Sequence, residues 1–201
     1  MWEVKPYRQN DQRWSGVYLG RSVDYKIGTH GCLVTSFAML LTALGFDETP
    51  LSVNQKLKAL PDSQGFVDAR FVWRGPEKIW PIRLAHVAYS RTSPADTVRI
   101  ARYLERAPVL IEVQPRAQLF HWVVALGITG SAGELPEDFV IRDPLYRGTA
   151  TLLTRYRVRG VRTRIDPLQL AVTAYAAYEP SEPATAGRDR SGGSPAVAID
   201  A

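Results

Sequence analysis

Gly31-Cys32-Leu33-Val34-Thr35-Ser36-Phe37-Ala38-Met39-Leu40-Leu41-Thr42-Ala43-Leu44-Gly45 is the stretch on which the fold turns. Its apolar residues recur at three- and four-residue intervals, and Gly45 supplies the usual stop signal. The spacing predicts a buried helix that opens at or beside Cys32, the single cysteine of the chain.

Upstream, residues 1–30 are polar and turn-rich, with Trp2, Tyr7, Trp14, Tyr18 and Tyr25 at no clean period. They read as an ordered arm pinned by aromatic anchors. Downstream, 51–60 reads as a second short helix ended by Pro61, and 65–91 mixes aromatics, prolines and glycines without a clear pattern. A third helix is expected with Ser93 as cap, Pro94 in the first turn, and Val98, Ala101 and Leu104 on one face.

After that the period changes to two. Pro108 to Val113, Phe120 to Ile128 and Phe139 to Arg142 read as strands, the last two joined by a hairpin loop over 129–136. Thr149 to Thr154, an arginine-bearing strand and Ala171 to Tyr178 would complete a sheet. Helices first and strands second is an α+β pattern, with N-terminal helices packed on a C-terminal antiparallel sheet. The expected division is one domain over 1–180 and a disordered Pro/Gly/Ser/Ala-rich tail over 181–201.

Composition narrows the chemistry. With 201 residues, 45% hydrophobic and 22% charged, the chain suits one globular domain. One cysteine permits no internal disulfide and no multi-cysteine zinc site, and three histidines leave few transition-metal ligands. Glycine-rich phosphate loops are absent, so chemistry without metal or cofactor is expected. No apolar run is long enough to cross a bilayer. The opening Met1 to Pro6 lacks the basic-then-apolar layout of a secretory signal. The expectation is a soluble monomer, cytoplasmic or released without such a signal, with no membrane partner.

The formal net charge is +5, and Arg155, Arg157, Arg159, Arg162 and Arg164 concentrate positive charge in one segment. In a strand, Arg155, Arg157 and Arg159 share a face. A solvated outer face is the preferred reading. A patch for an anionic polymer such as cell wall is the alternative, and nucleic acid is not expected as a partner.

A thiol attacks a carbonyl only as thiolate, which a helix N-terminus and a nearby histidine both favour. Among His30, His86 and His121, the last sits on a strand beside the hairpin that leads to Asp143. The midpoint of 121 and 143 is position 132, inside the expected loop. A regular hairpin centred there sets His121 and Asp143 face to face, so that the carboxylate can accept an imidazole N–H. Singly, each residue has a plainer reading: a buried small hydrophobe, a satisfied histidine, an Asp-Pro turn opener. Together, Cys32 reads as nucleophile, His121 as base and Asp143 as the group that orients it.

Tyr7-Arg8-Gln9-Asn10-Asp11-Gln12-Arg13-Trp14, then Gly31-Cys32 opening a Ser/Thr-containing helix, then His121-Trp122-Val123-Val124, then Asp143-Pro144 form an ordered set. This set resembles the bacteriocin-processing type of papain-like cysteine peptidase, cysteine-peptidase family thirty-nine, and more closely the stand-alone members of that superfamily. The likeness spans roughly residues 5–178. It departs at Leu33, where many relatives carry glycine, and no transporter or ATPase segment accompanies it.

The resemblance implies a papain-like fold and a bacterial or phage source. It implies hydrolysis of a peptide or isopeptide bond through a thioester acyl-enzyme, by Cys32, His121 and Asp143. It also implies an upstream glutamine that donates to the oxyanion, with Gln9 at the family position and Gln12 in reserve. Asp11 and Trp14 become anchors of the arm; His30 and His86 match no motif and read as structural, with His30 near enough to influence Cys32. A peptide or cell-wall peptide is the implied substrate. An acyltransferase using the same three residues, and a silent binding module of the same fold, are the alternatives.

Overall fold

The computed structural model describes residues 1–89, 96–116, 119–129, 138–151 and 172–181. A four-residue turn of helix, α1 (Ile27–His30), leads through Gly31 into α2 (Cys32–Ala43). Every residue of α2 from Val34 to Leu41 is buried, as befits a helix that is apolar nearly all round. Gly45 follows with φ of +90°, a conformation that glycine adopts without a Cβ penalty, and the chain turns away. In α3 (Pro50–Ala59), Thr49 caps the helix: its side chain accepts from the Ser52 N–H, while the Ser52 hydroxyl accepts from the Thr49 N–H.

A two-stranded ribbon, β1 (Phe66–Val67) and β2 (Arg70–Phe71), and a 3-10 turn at Pro76–Lys78 precede β3 (Ile82–Tyr89). Helix α4 (Thr97–Leu104) is followed by β4 (Val109–Arg116), β5 (Leu119–Ile128), β6 (Phe139–Arg142), β7 (Thr149–Thr151) and β8 (Val172–Pro180). Six strands form one sheet in the order β3-β8-β4-β5-β6-β7, each antiparallel to its neighbour. The molecule is therefore α+β with an antiparallel sheet.

Both faces of that sheet are covered. Leu110, Trp122, Val124, Leu126, Ala174, Ala176 and Tyr178 pack with the α2 residues Phe37, Met39, Leu40 and Leu41. Ile111, Val113, Val123, Ala125, Phe139, Ile141 and Tyr175 pack with Ile100 and Leu104 of α4. Burial on two sides explains why β4 and β5 read as near-continuous apolar runs rather than as alternating ones. Phe37 is the hub of the first cluster, its ring 5.4 Å from Phe71, 5.7 Å from Trp80 and 5.2 Å from Tyr178. Truncating so enclosed a ring should cost about 3–5 kcal/mol. Urea unfolding of Phe37→Ala should show that loss; a cost under ~1 kcal/mol would mean the cluster closes over the gap.

Three expectations change in detail. The cap of α4 is Asp96, whose carboxylate accepts from the Arg99 N–H at 2.9 Å, and the helix begins at Thr97. Its buried seam runs through Ile100, Ala101 and Leu104, which rotates Val98 to an exposed position. The last strand continues through Glu179, which is buried and bridged by Arg83 and Arg106, to Pro180, and the Ser181 N–H donates to the Pro81 carbonyl. Ser93 and Pro94, the loop at 130–137, the arginines between 155 and 164, and residues 182–201 lie outside the described residues. No helix among the described residues is long and apolar enough to cross a membrane.

Candidate active site

Cys32 stands at the head of α2 because Gly31 lets α1 run directly into it. A Cβ on Gly31 would lie 2.5 Å from the Ile27 carbonyl oxygen and 2.7 Å from its Cα, so no other residue fits this junction unshifted. The Gly31 N–H closes α1 on the Ile27 carbonyl, and the Gly31 carbonyl accepts from the Thr35 N–H in α2. Cys32 is thus the first helical residue, half-buried and unoxidised. Its own N–H has no carbonyl of α2 to meet, and the positive end of the helix lies at this residue.

His121 comes from β5, opposite Val113 of β4, and is 6% exposed. Its Nε2 lies 2.8 Å from Asp143 Oδ1, and Asp143 is wholly buried. Cys32 lies close enough to the imidazole to raise its proton affinity. Because Nε2 is engaged by the carboxylate, Nδ1 is the nitrogen left for sulfur. The imidazole is thus bonded to the carboxylate on one side and has Cys32 in its neighbourhood.

The hairpin that brings the last two together differs from the symmetric one. Val124 pairs with Arg142 and Ala125 with Ile141, and a bulge then shifts the register to Gly127 with Val140. Continued past Arg142, that register sets Asp143 beside Val123, not beside His121. The bond forms instead on a diagonal of two positions, which lies within side-chain reach across antiparallel strands. Asp143 Oδ1 also accepts from the Leu145 N–H at 2.8 Å, an Asx turn that aims the carboxylate back at the strand.

A contact not anticipated from the sequence holds the helix against the strand. Ser36 lies one helical turn beyond Cys32 on the same face, and its Oγ donates to the carbonyl of Trp122, next to His121, at 3.1 Å. A hydroxyl four residues after the cysteine, in an otherwise apolar helix, was the available signal.

Gln9 is 4% exposed, whereas Gln12 is exposed on the adjoining turn. The Gln9 backbone N–H donates to the Pro144 carbonyl at 2.9 Å, and its Nε2 donates to the Gly28 carbonyl at 3.1 Å. The residue is thereby fastened between the segment that precedes Cys32 and the segment that follows Asp143. Trp14 is buried, donates its indole N–H to the Arg8 carbonyl, and meets Tyr7 edge-on at 5.7 Å. Asp11 accepts three bonds from Arg13, whose guanidinium holds its carboxyl down to about 2.

The other histidines sit apart from this arrangement. His30 is exposed, bonded to the Thr29 hydroxyl, with its ring 4.4 Å from Tyr25. His86, in β3, lies against Tyr103 and Tyr175. A cavity of about 340 Å³ against Trp2, Leu126 and Arg142 includes none of Cys32, His121, Asp143 or Gln9.

Electrostatics follow from the contacts. Burial lowers the affinity of His121 for a proton, but its hydrogen bond to Asp143 and the influence of Cys32, with their charges, outweigh it and raise the imidazole to about 9. The sign for stability is fixed by linkage. A pKa raised from 6.5 to about 9 contributes stability that is full below pH ~6.5 and is lost as pH rises through 9. The ring carbons and nitrogens of His121, followed by NMR, should accordingly titrate near pH 9. Titration near the unperturbed value of about 6.5 would mean the two contacts are not maintained in solution.

A thiol near an imidazole that is bonded to a buried carboxylate is a set of groups with which acyl transfer through sulfur is chemically feasible. Compared with known proteins, the chain matches no protein-family model and no curated protein.

Proposed function

We propose that this chain is a cysteine hydrolase of papain-like fold that cleaves a peptide or isopeptide bond through a thioester acyl-enzyme. The observation that carries the reading is His121 bonded to a fully buried Asp143, with Cys32 close enough to act on the same imidazole. A cysteine-headed helix packed on an antiparallel sheet that supplies the histidine is consistent with the papain-like arrangement.

In this mechanism the Cys32 sulfur, its proton held on His121, attacks the scissile carbonyl carbon. A C–S bond forms, and the oxyanion accepts the Cys32 backbone N–H and a Gln9 side-chain N–H. The C–N bond then breaks as the imidazolium gives its proton to the leaving amine. A water next loses a proton to His121 and attacks the thioester; a C–O bond forms, the C–S bond breaks, and the thiolate–imidazolium pair returns.

The substrate class suggested by the resemblance is a peptide or a cell-wall peptide. The decisive measurement is intact mass after mixing the chain with peptide and peptidoglycan-fragment libraries. The expected result is an acyl adduct mapped to Cys32 and missing from Cys32→Ala. Absence of any adduct, with a thiol no more reactive toward iodoacetamide than a free one, would favour a silent binding module.

A further inference from the structure

We infer that the Gly28 carbonyl is the positioning group of the oxyanion site, holding the Gln9 amide so that its second N–H is presented to the developing oxyanion. This rests on the hydrolase reading. A primary amide has two N–H donors in one plane. With Nε2 bonded to the Gly28 oxygen at 3.1 Å, the remaining N–H has a fixed direction. Rotating the amide by half a turn would set Oε1 against the Gly28 oxygen, two acceptors in repulsion, so the orientation is locked.

The other end of the amide says what the arrangement serves. Oε1 is buried and has no hydrogen-bond partner among the described residues. A buried acceptor without a donor is costly and rare, and a glutamine present only for stability would set its oxygen on an N–H. Here the donor is directed and the acceptor abandoned. That asymmetry suits a site that needs an N–H.

Gly28 is built to keep its carbonyl in place. Its N–H donates to the Ser15 carbonyl at 3.0 Å, and a Cβ would lie 2.8 Å from both Cβ and the carbonyl oxygen of Ser15. It also belongs to α1, which runs through Gly31 into Cys32. The acceptor that aims the amide is therefore joined by a short stretch of ordered backbone to the nucleophile that the amide must serve.

The test compares two reactions of the same sulfur in the full chain. With p-nitrophenyl acetate, the Cys32 sulfur adds to the ester carbonyl, a C–S bond forms through an oxyanion, and p-nitrophenolate leaves. Iodoacetamide loses iodide to the same sulfur with no oxyanion. Gly28→Ala, which must displace Ser15 or α1, should slow acylation about 10- to 100-fold and leave alkylation within about twofold. In a Gln9→Ala background, Gly28→Ala should slow acylation no further. Equal slowing of both reactions, or an undiminished effect without Gln9, overturns the assignment.

A second measurement does not depend on how Gly28→Ala folds. In the unaltered chain, the two Gln9 side-chain N–H protons, identified by their loss in Gln9→Ala, should exchange with solvent at unequal rates. Equal, fast exchange overturns the proposal. A wild-type chain that p-nitrophenyl acetate does not acylate overturns the hydrolase reading itself, while the exchange rates still decide how the amide is held.

Discussion

His121→Ala should lower acyl transfer at Cys32 by about 10⁴-fold, the cost typical of removing one member of a nucleophile–base pair. Two functions vanish together. The thiolate loses the cation that stabilises it, and the leaving amine loses its proton donor. The first loss is visible without any substrate: alkylation by iodoacetamide at pH 6 should be faster than for a free thiol and should fall toward the free-thiol rate in His121→Ala. Because His121 is only 6% exposed and bonds a buried carboxylate, its removal also leaves Asp143 without this partner, and the melting temperature should drop. Rates should therefore be read well below that temperature. Cys32→Ala serves as the comparison, equally inactive but with the imidazole and carboxylate still paired. Acylation of His121→Ala within about tenfold of wild type would show that another group carries the proton.

The parts of the fold legible in the sequence are those where one physical signal dominates. The run from Val34 to Leu41 is apolar all round and ends at a glycine, and it is the buried helix. Val109 to Val113 and His121 to Ile128 are β-branched-rich runs and form the two central strands. Edge elements are harder. Ile82-Arg83-Leu84-Ala85-His86-Val87-Ala88-Tyr89 alternates poorly because, at the sheet edge, Arg83 reaches Glu179 and His86 meets two tyrosines instead of a uniform core. The burial of Glu179 beyond the expected strand end at Tyr178 carried no mark, since a sequence cannot reveal that two distant arginines converge on it.

The candidate site was legible to a similar depth. Hairpin symmetry was enough to bring His121 and Asp143 together, although the strands pair off the symmetric register; the bulge between Ala125 and Gly127 narrows that offset from three positions to two and leaves the contact diagonal. Neither the register of the pair nor a bulge within it leaves a compositional mark, so this offset was beyond reach. Gln9 and Gln12 are indistinguishable by spacing to a cysteine twenty-odd residues away; burial separates them. Ser36 and Gly28 act through backbone carbonyls, and such partners exist only once the chain has folded.

Asp143 offers the most discriminating substitution, because its bond to His121 and its bond to the Leu145 N–H fall on the same oxygen, Oδ1, so the substitution tests those two together. One carbonyl oxygen can accept both. Asp143→Asn should therefore keep the Asx turn, the ring orientation and the fold. The resting imidazolium carries a proton on each nitrogen, and once the ring has given one to the leaving amine, an Asn oxygen that accepts from Nε2–H still holds the tautomer that leaves Nδ1 free. What the amide loses is charge. Asp143 contributes to holding the imidazole at about 9 both by its hydrogen bond and by its negative charge, so the neutral replacement should move that value downward. The alkaline limb of acyl transfer should shift to lower pH. The rate on the plateau should fall about tenfold, the equivalent of one pKa unit or ~1.4 kcal/mol. Asp143→Ala removes the acceptor altogether, frees the ring and leaves the Leu145 N–H without its partner. That variant should lose about 10³-fold or more along with stability. The ordering Asp, Asn, Ala, together with a displaced alkaline limb, is what an orienting carboxylate requires. Asn and Ala variants of equal rate, with the limb unmoved, would make Asp143 a structural turn residue and leave His121 to be oriented by something else.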